Sequence, residues 1–342
     1  MAQSDSHYVM LISVHGLIRG TDLELGRDAD TGGQTKYVVE LARALIQHPH
    51  VAQVDLVTRR VTDAKIDPCY DEPIEALAQG ARIVRIRCGP DPYLAKESLW
   101  PHLESFADNL AIFLRSQGRA PDLVHGHYAD GGYVASCVAG LLNAPLAFTG
   151  HSLGRVKRQR LLDQGTKPET IERRYRIGRR IEAEETALDN AAFVVASTNQ
   201  EIEEQYAVYD NYQPKRMIVI PPGVDLSRFT PPSRSLPKRP AVYHHVARFL
   251  SDPRKPMILA LSRPDARKNI ATLVQAYGEN QRLREVANLV IVAGTRDDIR
   301  SMDKGVRAVI SDLLFLIDRY DLYGNVAYPK QHEPDDVPDL YR

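Results

Sequence analysis

The stretch Leu25 to Leu45, LGRDADTGGQTKYVVELARAL, constrains the fold more than any other, because a buried strand has to end before it and a helix has to start inside it. Upstream, Tyr8 to Val14 (YVMLISV) is a short, nearly continuous apolar run, the pattern of a strand covered on both faces. Downstream, Val38, Leu41 and Leu45 recur at helical spacing. Between them the polar loop closes on Gly32, Gly33 and Gln34. Missing β-carbons there let a ligand approach the backbone, and the first-turn N–H groups of the helix lack intrahelical partners. Two glycines would equally serve a tight strand-to-helix turn, which nucleotide-binding folds use routinely.

Further strand-like runs follow at Val54 to Thr58, Arg82 to Arg87, Asp122 to His125, Pro145 to Thr149, Phe193 to Ser197 and Met217 to Ile220. Helical patterns separate most of them, including Leu99 to Gln117, Tyr133 to Leu142 and Glu169 to Leu188. Such alternation specifies an α/β fold with a parallel sheet and helices on both faces. Three polar clusters, His125 to Gly132 (HGHYADGG), Thr149 to Arg158 (TGHSLGRVKR) and Pro221 to Asp225 (PPGVD), all fall just after strands, where ligands bind in such sheets.

The composition changes at Thr230 to Pro240, where four prolines and several basic residues oppose regular structure. The expected organisation is a first domain over 1–230, a linker over 231–256 and a second domain over 257–342. In the second domain the alternation restarts with strand Met257 to Leu261, helix Ile270 to Val286, strand Leu289 to Ala293, helix Lys304 to Tyr320 and strand Asn325 to Tyr328. Three strands are about half of what a doubly wound domain needs, so this one is expected to be incomplete.

With 44 Lys plus Arg against 44 Asp plus Glu, no overall field recruits nucleic acid or an anionic membrane. The three cysteines, Cys69, Cys88 and Cys137, fit neither a disulfide framework nor metal-ligand spacing. No secretory signal opens the chain and no window reaches the roughly 18 apolar residues of a membrane span, so a cytoplasmic location is expected.

His125 and His127 follow a strand two residues apart, but no third ligand of matching character lies nearby, which argues against a metal centre. Gly150 to Arg158 puts an imidazole, His151, at a strand end with Arg155, Lys157 and Arg158 close behind. The helical stretch after it carries Arg173, Arg176 and Arg180 on one face by spacing. Most of these cations fit a solvated, salt-bridged helix, and one or two of them suit a phosphate, which needs several converging donors. In the second domain Arg263 and Lys268 bracket a strand-to-helix turn suited to a diphosphate. Neither GxxxxGK[ST] nor GxGxxG occurs, which argues against a kinase and a dehydrogenase.

Taken in order, GRDADTGGQTKYVVELARAL, HGHYADGG, TGHSLGRVKR, RRIEAEE, PPGVD and LSRPDARKN closely resemble the sucrose-phosphate synthase family. These are retaining nucleotide-sugar glycosyltransferases built as two facing Rossmann-like domains, the GT-B architecture. The resemblance runs over essentially the whole chain. It implies transfer of glucose from UDP-glucose to fructose 6-phosphate, giving sucrose 6-phosphate, with no metal or other cofactor. It puts Gly32, Gly33 and Gln34 beside the acceptor and the transferred glucose, and Lys96, Lys157 and Arg180 at the acceptor phosphate. Tyr128 and Ser152 join the acceptor side, His151 faces the transferred glucose, and Arg263 and Lys268 neutralise the departing UDP. Cations on a leaving diphosphate act where charge develops. A sucrose-phosphate phosphatase would be the pathway partner.

One departure is expected to matter. The family continues past DVPDLYR into a segment whose two glutamates grip the donor, and this chain stops at Arg342. As a fragment, it would be inactive alone, loosely folded in its second domain and prone to aggregate. The competing readings are a sucrose synthase-like transferase with an uncharged acceptor, and a non-catalytic module that binds a sugar phosphate.

Overall fold

The computed structural model describes residues 6–231 and 239–342 and divides into two compact units, Met1–Pro222 and Gly223–Arg342. In the first unit, strands β1 (His7–Ile12), β2 (Val51–Arg59), β3 (Ile74–Ala78), β4 (Ala81–Ile86), β5 (Leu123–His127), β6 (Leu146–Thr149), β7 (Phe193–Ala196) and β8 (Met217–Val219) form one sheet in the order β3-β4-β2-β1-β5-β6-β7-β8. All neighbours are parallel except β3, which runs antiparallel to β4. From β1 the chain adds β2, the edge strand β3 and then β4 between them on one side, and resumes at β5 on the other, so the direction of winding reverses between β1 and β5.

The central strands are apolar on both faces because helices cover both. Val9, Leu11, Val54, Leu56 and Ile83 pack with Val38, Val39 and Ala42 of α1 (Gly33–Ile46). On the other face, Met10, Ile12, Val124 and Phe148 pack with Phe106 and Leu110 of α2 (Leu103–Gln117) and Val134 and Val138 of α3 (Tyr128–Leu142). Helix α3 sits unusually close to the sheet: a β-carbon on Gly131 would lie 2.5 Å from the carbonyl oxygen of Ile12, and one on Gly132 would lie 2.6 Å from the Phe148 ring.

Two features depart from the sequence pattern. Strand β3 was not expected; its side chains alternate between exposed and half-buried at the sheet edge, so it lacks the apolar run that marks the inner strands. The expected helix over Glu169 to Leu188 is broken into α5 (Pro168–Tyr175) and α6 (Ile177–Asn190), after α4 (Gly154–Asp163), by Arg176 at φ 47°. That left-handed residue ends the helical register, so Arg173, Arg176 and Arg180 do not share one face. Arg173 and Arg176 are exposed while Arg180 is buried. A short α7 (Asn199–Glu201) leads into a π-helical turn at Ile202–Tyr206.

The second unit holds α8 (Ala241–Ala247), β9 (Met257–Leu261), α9 (Ile270–Glu279), α10 (Gln281–Val286), β10 (Asn288–Val292), α11 (Lys304–Arg319), β11 (Val326–Ala327) and α12 (Asp336–Tyr341). Its three-stranded sheet is parallel, in the order β11-β10-β9. Ile270, Val274 and Tyr277 of α9 close on Ile310, Leu313 and Ile317 of α11 over Leu289 and Ile291. Of the stretch 231–256 expected as a linker, 232–238 lie outside the described residues. Within the rest, α8 forms, and its Val246 packs with Leu250, Val290 and Val292.

Candidate functional site

The loop after β1 is shaped by its own short polar side chains. Asp28 Oδ1 accepts the backbone N–H groups of Asp30 and Thr31, each at 2.7 Å, and Thr31 Oγ1 accepts that of Leu17 at 3.2 Å. Gly16 takes φ 82°, and a β-carbon there would meet the carbonyl oxygen of Asp30 at 2.7 Å, so this glycine is required by the turn. Gly32 and Gly33 differ: a β-carbon on either would meet nothing within 4 Å, and neither has a positive φ. Packing within the protein does not demand them, and the space above them is open to a ligand. Helix α1 starts at Gly33 with no side-chain cap and no acidic residue in its first turn, an N-terminus suited to ligand oxygens. Gln34 Nε2 donates to Ser13 Oγ at 3.0 Å.

The carboxyl ends of β5 and β6 add a row of imidazoles. His125 and His127 rings stack with centroids 4.1 Å apart, and His127 Nδ1 lies 3.1 Å from His151 Nε2. Burial pushes His125 down to about 4 and His151 down to about 3. Burial, reinforced by His125 and His151, also holds His127 well below the ordinary histidine range. All three are therefore neutral imidazoles at pH 7. Tyr128 at φ 66° and His151 at φ 56° occupy the left-handed region, uncommon for such side chains and typical of ligand sites. His15 Nδ1 meets Asp130 Oδ2 at 2.7 Å, and its ring packs edge-on to Tyr128 at 4.6 Å.

Beside this row stand three cations. Lys96 pairs with buried Asp30 through its ammonium, and its backbone N–H donates to Asp30 Oδ2 at 2.9 Å. Burial alone would raise the Asp30 carboxyl, but the hydrogen bonds from Lys96 leave it below the usual carboxylate range. Arg180, 3% exposed, places Nε 2.9 Å from Glu184 Oε1 and donates to the Ser152 carbonyl at 2.5 Å and to its hydroxyl at 3.3 Å. Its guanidinium lies over the Tyr128 ring at 4.5 Å. Glu184 also accepts from Gly154 N–H and from the Tyr209 hydroxyl, so the pair is anchored at the start of α4. Lys157 has no carboxylate within 4.0 Å among the described residues; its ammonium lies 3.7 Å from the centroid of the Tyr175 ring. Burial, then repulsion from Arg180 and Lys96, brings Lys157 down to about 8.

The fold thus brings Lys96, Tyr128, Ser152, Lys157 and Arg180 into one corner, beside His151. Sequence reasoning missed the groups that hold them there: Asp30, Asp130, His15, Tyr175 and Glu184. Asp130 stood in a cluster already singled out, but a buried carboxylate partner cannot be told from a surface one by spacing. Among the described residues no group of three or more His, Cys, Asp or Glu side chains is placed to hold a metal ion. No helix there is long and apolar enough to cross a membrane.

In the second unit Arg263 and Lys268 flank the turn between β9 and α9, both exposed and neither ion-paired among the described residues. Asp265 caps the intervening 3₁₀ turn by accepting Arg267 N–H at 3.0 Å, and Asn269 at φ 52° starts α9.

A doubly wound sheet with its polar loops gathered beyond the strand ends on both sides of the reversal defines a Rossmann-like domain, and the family match places it in the GT-B glycosyltransferase class. The chain belongs to the family described as the sucrose synthase first GT-B domain, whose model matches residues 5–227. Among curated proteins it is 47% identical to sucrose-phosphate synthase 4 of Arabidopsis thaliana and 46% identical to a sucrose-phosphate synthase of Zea mays. Each match covers 98% of this chain but only 38% and 37% of the relative, so the chain spans well under half the length of these relatives. Among solved structures, a sucrose-phosphate synthase from Thermosynechococcus elongatus superposes with a TM-score of 0.67 at 26% identity, covering 98% of this chain and 73% of that one. Anabaena HepE in complex with UDP-glucose shares the fold, with a TM-score of 0.54 at 13% identity over 98% of this chain and 71% of that one.

Proposed function

We propose that the first unit holds fructose 6-phosphate as the acceptor of a sucrose-phosphate synthase, with the phosphate between Lys96, Lys157 and Arg180. The observation that carries this reading is the half-buried ammonium of Lys157, set beside two further cations and, among the described residues, without a carboxylate of its own. Burying like charges together is costly unless an anion completes them. A phosphate dianion supplies that anion, and Ser152 and Tyr128 add hydroxyls for it or for the sugar. An uncharged acceptor, as in a sucrose synthase-like transferase, would leave Lys157 without an anion, since Asp30 and Glu184 are already paired with Lys96 and Arg180.

In the whole protein the donor is UDP-glucose, and the reaction retains configuration at the transferred carbon. The bond from the glucosyl anomeric carbon to the diphosphate breaks, a bond to the fructosyl 2-hydroxyl oxygen forms, and the hydroxyl proton leaves with the UDP. Arg263 and Lys268 would stabilise the charge gathering on that diphosphate. Gly32, Gly33 and Gln34 would border the reacting sugars, and neutral His151 would hydrogen-bond the glucosyl ring without adding charge. No metal or other cofactor is required. A cytoplasmic site of action and a phosphatase that consumes the product belong to the same reading.

Calorimetry of the 342-residue chain with fructose 6-phosphate and with fructose tests the acceptor assignment. Binding of the phosphorylated sugar alone supports it. Equal binding of both, or of neither, counts against it.

A further inference from the structure

Two of the three corner cations rest on tyrosine faces: Arg180 on Tyr128 at 4.5 Å and Lys157 on Tyr175 at 3.7 Å. The first pair also has a carboxylate, Glu184, whereas among the described residues the second has no carboxylate within 4.0 Å. Tyr175 reaches this place because α5 ends on it and the left-handed Arg176 turns the chain away immediately afterwards. Had the helix continued unbroken, the register that carries Arg180 inward would not be free to leave Tyr175 beneath Lys157.

We propose that Tyr175 is a positioning residue that keeps the Lys157 ammonium charged and aimed into the corner before any anion arrives. An aromatic face attracts an ammonium through its quadrupole and asks for no counter-charge. A carboxylate in the same place would neutralise Lys157 and then compete with an incoming phosphate; the ring does neither. The charged groups bearing on Lys157 are Arg180 and Lys96, which oppose its charge, and Glu97 and Asp30, which favour it, with Asp30 already committed to Lys96. Arg174 shares the same ring from 5.3 Å. The role of the corner as a phosphate site rests on the function proposed above, but the coupling of Tyr175 to Lys157 does not.

Selective ¹³C labelling of lysine in the 342-residue chain, without ligand, reads this coupling directly. In the unmodified chain the Lys157 ε-methylene protons are expected well upfield of other lysines, from the ring current of Tyr175. An ordinary shift there overturns the proposal and needs no variant to fold. Tyr175→Phe keeps the ring and should leave the Lys157 titration near its starting value. Tyr175→Leu should lower its midpoint by about half a unit. Equal titration curves for the Leu and Phe variants overturn the proposal. In parallel, Tyr175→Leu should weaken fructose 6-phosphate binding about two- to fivefold at pH 7, with Tyr175→Phe close to the parent. If the shifts and titrations behave as stated while the parent binds no fructose 6-phosphate, the positioning role stands and the acceptor assignment falls.

Discussion

Arg180 and Glu184 lie one helical turn apart on α6 with Nε and Oε1 at 2.9 Å, both side chains buried, at 4% and 0% exposure. Their pairing turns a sequence that looks like a solvated charged helix into a wall of the cleft. Glu184 is shared with Gly154 N–H and the Tyr209 hydroxyl, so one carboxylate ties α6, the start of α4 and the segment after the π-helical turn together.

Replacing Glu184 by Ala strands a buried guanidinium as well as the Gly154 and Tyr209 donors. The loss should be about 3 to 5 kcal/mol, as for other buried pairs broken on one side. Urea unfolding of the variant against the parent, monitored by circular dichroism, measures it.

The neutral histidine row makes the first unit sensitive to acid. His125, His127 and His151 all have folded values depressed below the ordinary 6.5, so the native state resists protons that the unfolded chain accepts. Stability is complete above about pH 6.5 and falls as pH drops from there toward 4, where His125 itself titrates. Each histidine contributes a slope of up to about 1.4 kcal/mol per pH unit in that window. Urea midpoints at pH 7.5, 6 and 5 should fall progressively, and His125→Phe should flatten the dependence.

Gly131 is dictated by packing. Its β-carbon position lies 2.5 Å from the carbonyl oxygen of Ile12, a main-chain atom of the central strand that cannot swing aside. Gly131→Ala should cost about 1 to 3 kcal/mol, as overpacking does. Gly33→Ala, whose β-carbon meets nothing within 4 Å, should be much milder in the same denaturation experiment.

The architecture was legible because its inner strands are buried on both faces and so read as apolar runs. The doubly wound order follows from their alternation with helices. Strand β3 escaped because an edge strand with half its face in water leaves no such run. The break at Arg176 escaped because RRYRIGRR carries no proline and arginine does not mark a left-handed position; the turn is held by Glu172, whose carbonyl accepts Arg176 N–H and whose carboxylate accepts Gly178 N–H, each at 2.9 Å. In the candidate site, Gly32 to Gln34, His151 and Lys157 could be singled out by their position after a strand. Their supports could not, since Asp30 and Lys96 are 66 residues apart and nothing in either neighbourhood names the other.

The central claim is that a phosphorylated sugar completes the cluster of Lys96, Lys157 and Arg180. Isothermal titration of the parent chain and of Lys157→Ala with fructose 6-phosphate, at pH 7 and again at pH 9, tests it most directly. The Ala variant should lose about 1.5 to 3 kcal/mol of affinity, the worth of a charge-assisted hydrogen bond. The parent should bind more weakly at pH 9, because Lys157, held down near 8, has given up its proton there. Fructose 6-phosphate binding with the same affinity in parent and variant, at both pH values, would contradict the account.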